Sequence, residues 1–336
     1  MALLAEPGCA ERPLTEPEAE IHVASACFRT GPAGAVGIEI ERIVHDASDH
    51  ALPVPVDRVR DAVAGAGLPG GGAISFEPGG QLELSSACAP DLPGLIGAVR
   101  QDLAVIDPLV ARQGLCFDGL ALDAVRVPRR TLDHPRYAAM QRHFDRSGPA
   151  GRTMMCSTAS LQVSLEAGPD QAGPGGAVSR WHRLHALLPV LVAMFANSPF
   201  HKGTPSGWKS TRQRIWLDTD RTRTAPVPGP AEPREAWARY ALDALVLCIR
   251  GEGRCWDAPA GLRMRDWLRG GGPRPATRAD LDYHLTTLFP PVRPRGFLEL
   301  RVIDAQAGGD WEVPAAVVTA LVDDARAADR AAEACE

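Results

Sequence analysis

No stretch of this chain is apolar for long enough to cross a bilayer; the longest run, 186–196, is cut by Pro189. No block of Lys or Arg stands out, and the formal net charge is -5, which argues against nucleic acid or an anionic membrane as partner. The N-terminus, MALLAE, lacks the basic start and apolar stretch of a signal peptide, so a cytoplasmic location is expected. None of the eight cysteines forms a CxxC pair, and in a large cytosolic chain an even count is no disulfide framework. Internal repeats and low-complexity linkers are missing as well.

What remains is a composition for a folded domain. The 336 residues give ample core capacity, with 45% hydrophobic and 23% charged side chains. Gly (33) and Pro (30) are enriched but stay below a disordered share, so they read as tight loops between short elements. The first 15 residues read as a loose start. Helices are expected over 16–29, 56–64, 92–112, from 133, and over 178–197, 233–249, 262–268 and 277–288. A last helix from 313 is expected to run to the end. Strands are expected at 36–44, 81–85, 158–165 and 296–302.

The strands carry the main signal, because residues two apart share a face. Glu39 and Glu41 oppose Ile38 and Ile40. Gln81, Glu83 and Ser85 oppose Leu82 and Leu84. Ser160, Gln162 and Ser164 oppose Leu161, Val163 and Leu165, and Glu299 and Arg301 oppose Leu298, Leu300 and Val302. An antiparallel sheet with one wet face would also alternate. The front faces hold Glu, Gln, Ser and one Arg but no Lys, which favours a functional concave face. Several carboxylates on neighbouring strands would resist joint ionisation unless cations bind. An all-oxygen set suits Mg²⁺, with Mn²⁺ as alternative, and Mg²⁺ held by few carboxylates commonly also binds substrate phosphates. Arg301 is the kind of group that clamps a phosphoryl or carboxylate oxygen.

Four features are set aside. Gly65–Gly70 matches G-x-G-x-x-G, but a helix precedes it and a strand follows, the reverse of the dinucleotide fingerprint. GTPSGWKS (203–210) is no phosphate loop, because Trp208 separates Gly207 from Lys209. His182 and His185 share a helix face without a third ligand. Cys156 has no His–Asn/Asp partner pattern and reads as an ordinary half-buried thiol.

The segments VGIEIE (36–41), FEPGGQLELS (76–85), GRTMMCSTASLQVSL (151–165), ANSPF (196–200), GWKSTRQRIW (207–216) and HLTTLFPPVRPRGFLELRVIDAQ (284–306) resemble the plant- and bacterial-type glutamate–cysteine ligases. They resemble in particular the actinobacterial branch that makes γ-glutamylcysteine for ergothioneine biosynthesis. The resemblance implies one catalytic domain over 1–336, an α+β fold related to that of glutamine synthetase. Its curved, mainly antiparallel sheet would turn a polar concave face to the site, with helices packed outside. It implies ATP as co-substrate, glutamate and cysteine as substrates, and a γ-glutamyl phosphate intermediate. By motif, Glu39, Glu41, Glu83 and Glu299 are implied metal ligands and Glu77 an acidic neighbour. Gln162 is an implied phosphate or metal contact. Arg212 and Arg301 are implied clamps for the glutamate α-carboxylate or the transferring phosphate. The alternatives are a ligase of this fold with another amine acceptor, a non-catalytic nucleotide- or metal-binding relative, and a dinucleotide oxidoreductase. Family members continue beyond the stretch resembling 313–336, so a shortened chain is expected. Val317, Val318, Leu321 and Val322 of the last helix are expected to leave a bare apolar side.

Overall fold

The computed structural model describes residues 12–335 apart from 30, 32, 230 and 231; the expectations for the first eleven residues, Cys9 and Glu336 lie outside them. Among the described residues ten short strands form: β1 Val36–Arg42, β2 Val44–Asp46, β3 Ala73–Phe76, β4 Leu82–Ser85, β5 Leu115–Phe117, β6 Ser160–Leu165, β7 Phe200–His201, β8 Thr204–Pro205, β9 Val292–Pro294 and β10 Leu298–Asp304. The helices are α1 Glu16–Cys27, α2 Val56–Val63, α3 Leu92–Arg112, α4 Pro135–Asp145, α5 Ala150–Ser157, α6 Ala177–Met194, α7 Thr211–Leu217, α8 Arg221–Thr224, α9 Pro233–Asp243, α10 Met264–Asp266, α11 Arg278–Leu285, α12 Glu312–Asp323 and α13 Ala325–Cys335.

Six strands make one sheet in the order β3-β4-β1-β6-β10-β9, with every neighbouring pair antiparallel. Register follows from the apolar alternation, since a one-residue slip would turn each aliphatic side chain outward. Ile40 pairs with Leu84 and Leu161, and Val163 with Ile38 and Leu300; all six are buried. This face packs on α3, α6 and α12. α3 forms because Leu95, Val99, Ile106 and Val110 recur at helical spacing, and Asp91 caps it by accepting from the Gly94 amide at 2.8 Å.

The other face carries the acids. Glu41 lies opposite Glu83, Glu39 opposite Gln162 and Ser85, and Glu299 opposite Arg293 and Ser164. It is covered by a second apolar cluster that includes Met140 and Phe144 of α4, Met154 and Met155 of α5, and Ile215 of α7.

The expected single terminal helix is two. At Asp324 the backbone is extended (φ -80, ψ 118), and the Asp324 side chain accepts from the Ala327 amide at 2.8 Å, which starts α13. α13 folds back on α12 and α6. Val318 and Val322 are buried, and Val317 and Leu321 pack on the core, so the expected bare apolar side does not exist.

Candidate active site

The polar face and the helices above it enclose a cavity of about 370 Å³ lined by Glu39, Glu41, Glu77, Glu83, Gln162 and Arg301, among others. Local turn chemistry puts Glu77 there. After β3 the chain reverses through Glu77-Pro78-Gly79-Gly80; Gly80 has φ +91, and a Cβ on Gly79 would stand 2.1 Å from the Cys156 carbonyl oxygen. The turn is tied to its surroundings through Gln81, whose amide donates to Thr158 O at 2.8 Å, and through Thr131 N, which donates to Pro78 O at 2.7 Å. Carboxylate oxygens of Glu41, Glu77 and Glu83 then lie within 4.8 Å of one another.

Burial raises the proton affinity of all four acids lining the cavity. Glu39 is pushed up to about 7, by burial first and then by the Glu299 and Glu83 charges. Glu77 is pushed well above the usual carboxylate range, again by burial and then by Glu41 and Glu83. Glu41 and Glu83 shift the same way for the same leading reason. Such a set is poorly stable as bare anions and gains from a hard divalent cation with oxygen ligands.

Glu299 behaves differently. Burial would raise its pKa, but Arg293, Arg301 and Arg295 outweigh burial and hold it well below the carboxylate range. Arg293 donates to both its oxygens at 2.7 and 3.1 Å, Arg295 at 3.1 Å and Arg301 at 2.8 Å. Arg301 also donates to Gln162 Oε1. Gln162 donates to Glu41 Oε1 at 3.0 Å, and Glu41 Oε2 accepts from Ser160 N at 2.7 Å. Glu299, Arg301, Gln162 and Glu41 thus form one chain of polar contacts across β10, β6 and β1.

Arg212 stands apart from the cavity lining. It is 2% exposed, donates to the Arg301 carbonyl at 3.0 Å, and lies 3.5 Å from Asp304. Burial lowers its pKa despite the nearby Asp304 and Glu41 charges. The remaining sites behave as ordinary structure. His185 bonds the Trp181 carbonyl within its own helix, and burial pushes the Cys156 thiol up to about 12.

Sequence reading missed Arg136, Tyr137, Trp216, Thr286, Phe289, Arg293 and Arg295, all of which line the cavity. Arg293 had a legible signal in VRPRGFLELR, where a Gly turn folds it onto Glu299 across a hairpin. Arg136 and Tyr137 had none, being brought in by the docking of α4. A larger groove of about 760 Å³ lies elsewhere, but Arg126 and Arg152 on its walls are already paired with Asp123 and Asp145.

These features define an α+β protein whose antiparallel sheet bears a buried pocket of carboxylates and arginines. The chain belongs to glutamate–cysteine ligase family 2, whose profile matches residues 35–336. It is 40% identical over 326 residues to glutamate–cysteine ligase EgtA of Mycolicibacterium smegmatis, an alignment covering 94% of this chain and 76% of that protein. Against the EgtA ligase of Mycobacterium tuberculosis the identity is also 40%, covering 94% and 74%. The chloroplastic glutamate–cysteine ligase A of Oryza sativa subsp. indica is 31% identical, with 93% and 68% covered.

Proposed function

We propose that this protein is an ATP- and Mg²⁺-dependent glutamate–cysteine ligase, with Mn²⁺ as an alternative ion. The observation that carries the proposal is the trio Glu41, Glu77 and Glu83 in one cavity with Arg301 and Gln162, in a chain of this family. Kinship with the catalytic domain of glutamine synthetase belongs to the same reading, supported by the antiparallel sheet with its acidic face. So does a single catalytic domain, supported by one hydrophobic core that joins α1 and α9 to the sheet and to α12. A role in ergothioneine biosynthesis belongs to the same reading, in line with the likeness to the EgtA ligases, and a cytoplasmic location is proposed with it.

Glu41, Glu77 and Glu83, with Glu39 beside them, would hold the cation. A cation held by these residues would neutralise their charge and draw charge from phosphate oxygens of ATP. Glu299, with both oxygens occupied, anchors Arg293, Arg295 and Arg301 along the cavity wall. Gln162 couples Arg301 to Glu41 and fixes the distance between the cationic and anionic walls. In this arrangement the γ-carboxylate of glutamate takes the terminal phosphoryl group of ATP as ADP leaves, and Arg301 would balance charge on the transferring oxygens. The amine of cysteine then attacks the γ-glutamyl phosphate, forming the amide as phosphate leaves. Protein nucleophiles are not needed, in keeping with the inert Cys156 thiol.

The test is ADP release with glutamate, screening cysteine against other amines, with the product identified by mass. Glutamate- and cysteine-dependent release yielding γ-glutamylcysteine is expected. Release with another amine only would move the assignment to a different acceptor, and no release with any amine would overturn it.

A further inference from the structure

β10 does not run evenly beside β6. Leu300 pairs with Val163 but Ile303 with Leu161, so β10 carries one extra residue between them, a β-bulge at Arg301 and Val302. Arg301 faces the cavity by alternation with Glu299, and the extra residue then returns Ile303 to the core and brings Asp304 opposite Ser160. It also breaks the ladder, so the carbonyls of Arg301 and Val302 need partners outside β6.

Those partners come from α7. The Arg301 carbonyl accepts from Arg212 Nη2 at 3.0 Å, and the Val302 carbonyl from Gln213 Nε2 at 2.7 Å. α7 is itself pinned to the end of the same strand. Ser210 caps it by accepting from Gln213 N at 3.2 Å and donates to Asp304 Oδ1 at 2.9 Å. Ser198 donates to Asp304 Oδ2 at 2.7 Å and accepts from Arg212 N at 3.0 Å. On the far side, Arg301 N donates to Pro291 O at 2.9 Å. The two peptide planes flanking Arg301 are therefore held by Pro291 and by Arg212, and the next plane, after Val302, by Gln213.

We infer that Gln213, with Arg212, is a positioning residue: it locks the β10 bulge in the one backbone conformation that aims Arg301 into the cavity. Neither side chain lines the cavity. Arg212 acts through the Arg301 carbonyl and Gln213 through the next one, that of Val302, and the inference rests on the catalytic role proposed for Arg301.

The experiment compares Gln213→Met, close in size but without the donor, with the unmodified protein. The second variant is Gln213→Glu, which also lacks the donor and covers the case of a Met variant that misfolds. Turnover is expected to fall by up to about a hundredfold, the loss that a 1 Å misplacement can cause. KM for ATP should change by less than about threefold, since the interaction lost is one made in the transition state. Adding Gln213→Met to Arg301→Lys should cost nothing further, because the two act as a unit. Amide exchange over 298–304 should speed up in the Gln213 variants. Unchanged turnover, or losses that multiply in the double variant, would overturn the inference. If the unmodified protein releases no ADP with glutamate and any amine, the ligase reading fails. The clamp is then judged by amide exchange alone, and unaltered exchange over 298–304 sinks it.

Discussion

At the scale of single residues, the charge state of a side chain is set by what surrounds it. Glu83 and Glu299 sit on the same sheet face, yet burial and neighbouring acids raise one while three arginines hold the other down. Strand alternation made both legible as front-face acids. It could not tell them apart, because the arginines that separate them arrive partly from β9, an expected loop. Glu83→Gln keeps the oxygen that accepts from Ser75 at 2.7 Å and removes one charge from a crowded site. We expect it to melt no lower than the parent and to lose turnover by about a hundredfold or more, as does loss of one electrostatic partner in other active sites. Near-parental ADP release would show that Glu83 is not part of the site.

His284 illustrates the same rule at a structural position. It is fully enclosed and its Nε2 donates to the Ala241 carbonyl at 2.9 Å, and burial, then the Arg223 charge, pushes its pKa down to about 4 from 6.5. Between those values the unfolded chain binds a proton that the folded chain refuses. Stability therefore rises with pH across this window and is lost as pH falls through it. The full effect is about 3 kcal/mol at about 1.4 kcal/mol per unit. His284→Gln cannot titrate. Its unfolding free energy, measured by denaturant from pH 4.5 to 7, should depend less steeply on pH than the parent's. Parallel curves for the two proteins would contradict the assignment.

At the scale of elements, periodicity revealed what was long or strictly alternating. α3 and the strands around 38–41 and 82–85 stand where the sequence puts them. The short pieces β3, β5, β9, α5 and α7 were invisible because each owes its form to a neighbour: β3 to pairing with β4, and β9 to the hairpin with β10. The Gly-rich stretch 65–72 shows how a motif resolves into packing. Asp102, buried on α3, accepts from Gly70 N at 2.6 Å and Gly72 N at 3.0 Å, and a Cβ on Gly70 would stand 2.1 Å from the Ala98 carbonyl oxygen. These glycines bring a loop against a helix and leave no phosphate cradle. Asp102→Ala would strand two amides, each costing about 1–3 kcal/mol where water cannot reach. A fall of several degrees in Tm, with KM for ATP unchanged, is the expected result. A selective rise in that KM would instead return the loop to nucleotide binding.

At the scale of the whole molecule, the site is a non-local object. Glu41, Glu77 and Glu83 come from two strands and a turn, Arg301 from β10, and Tyr137 and Trp216 from α4 and α7. Likeness to a family put the acids and Arg301 in one place before the structure did; physical reading alone supplied faces without saying which would meet. The assembled acid cluster has a consequence for global stability. A cation that binds the folded carboxylates and not the unfolded chain stabilises by mass action, about 2.7 kcal/mol when its concentration is a hundred times Kd. Mg²⁺ should therefore raise the Tm of the protein in the absence of substrates, and Ca²⁺, larger and less demanding in geometry, should compete. Glu77→Gln removes one corner of the trio, so its Tm should respond to Mg²⁺ far less while its metal-free Tm stays level or rises through relieved repulsion. Thermal melts across a Mg²⁺ series, at constant ionic strength so that general screening cancels, make the comparison. Equal Mg²⁺ responses in parent and variant would mean that the cation sits elsewhere, and the trio would be an acidic pocket held together by protons.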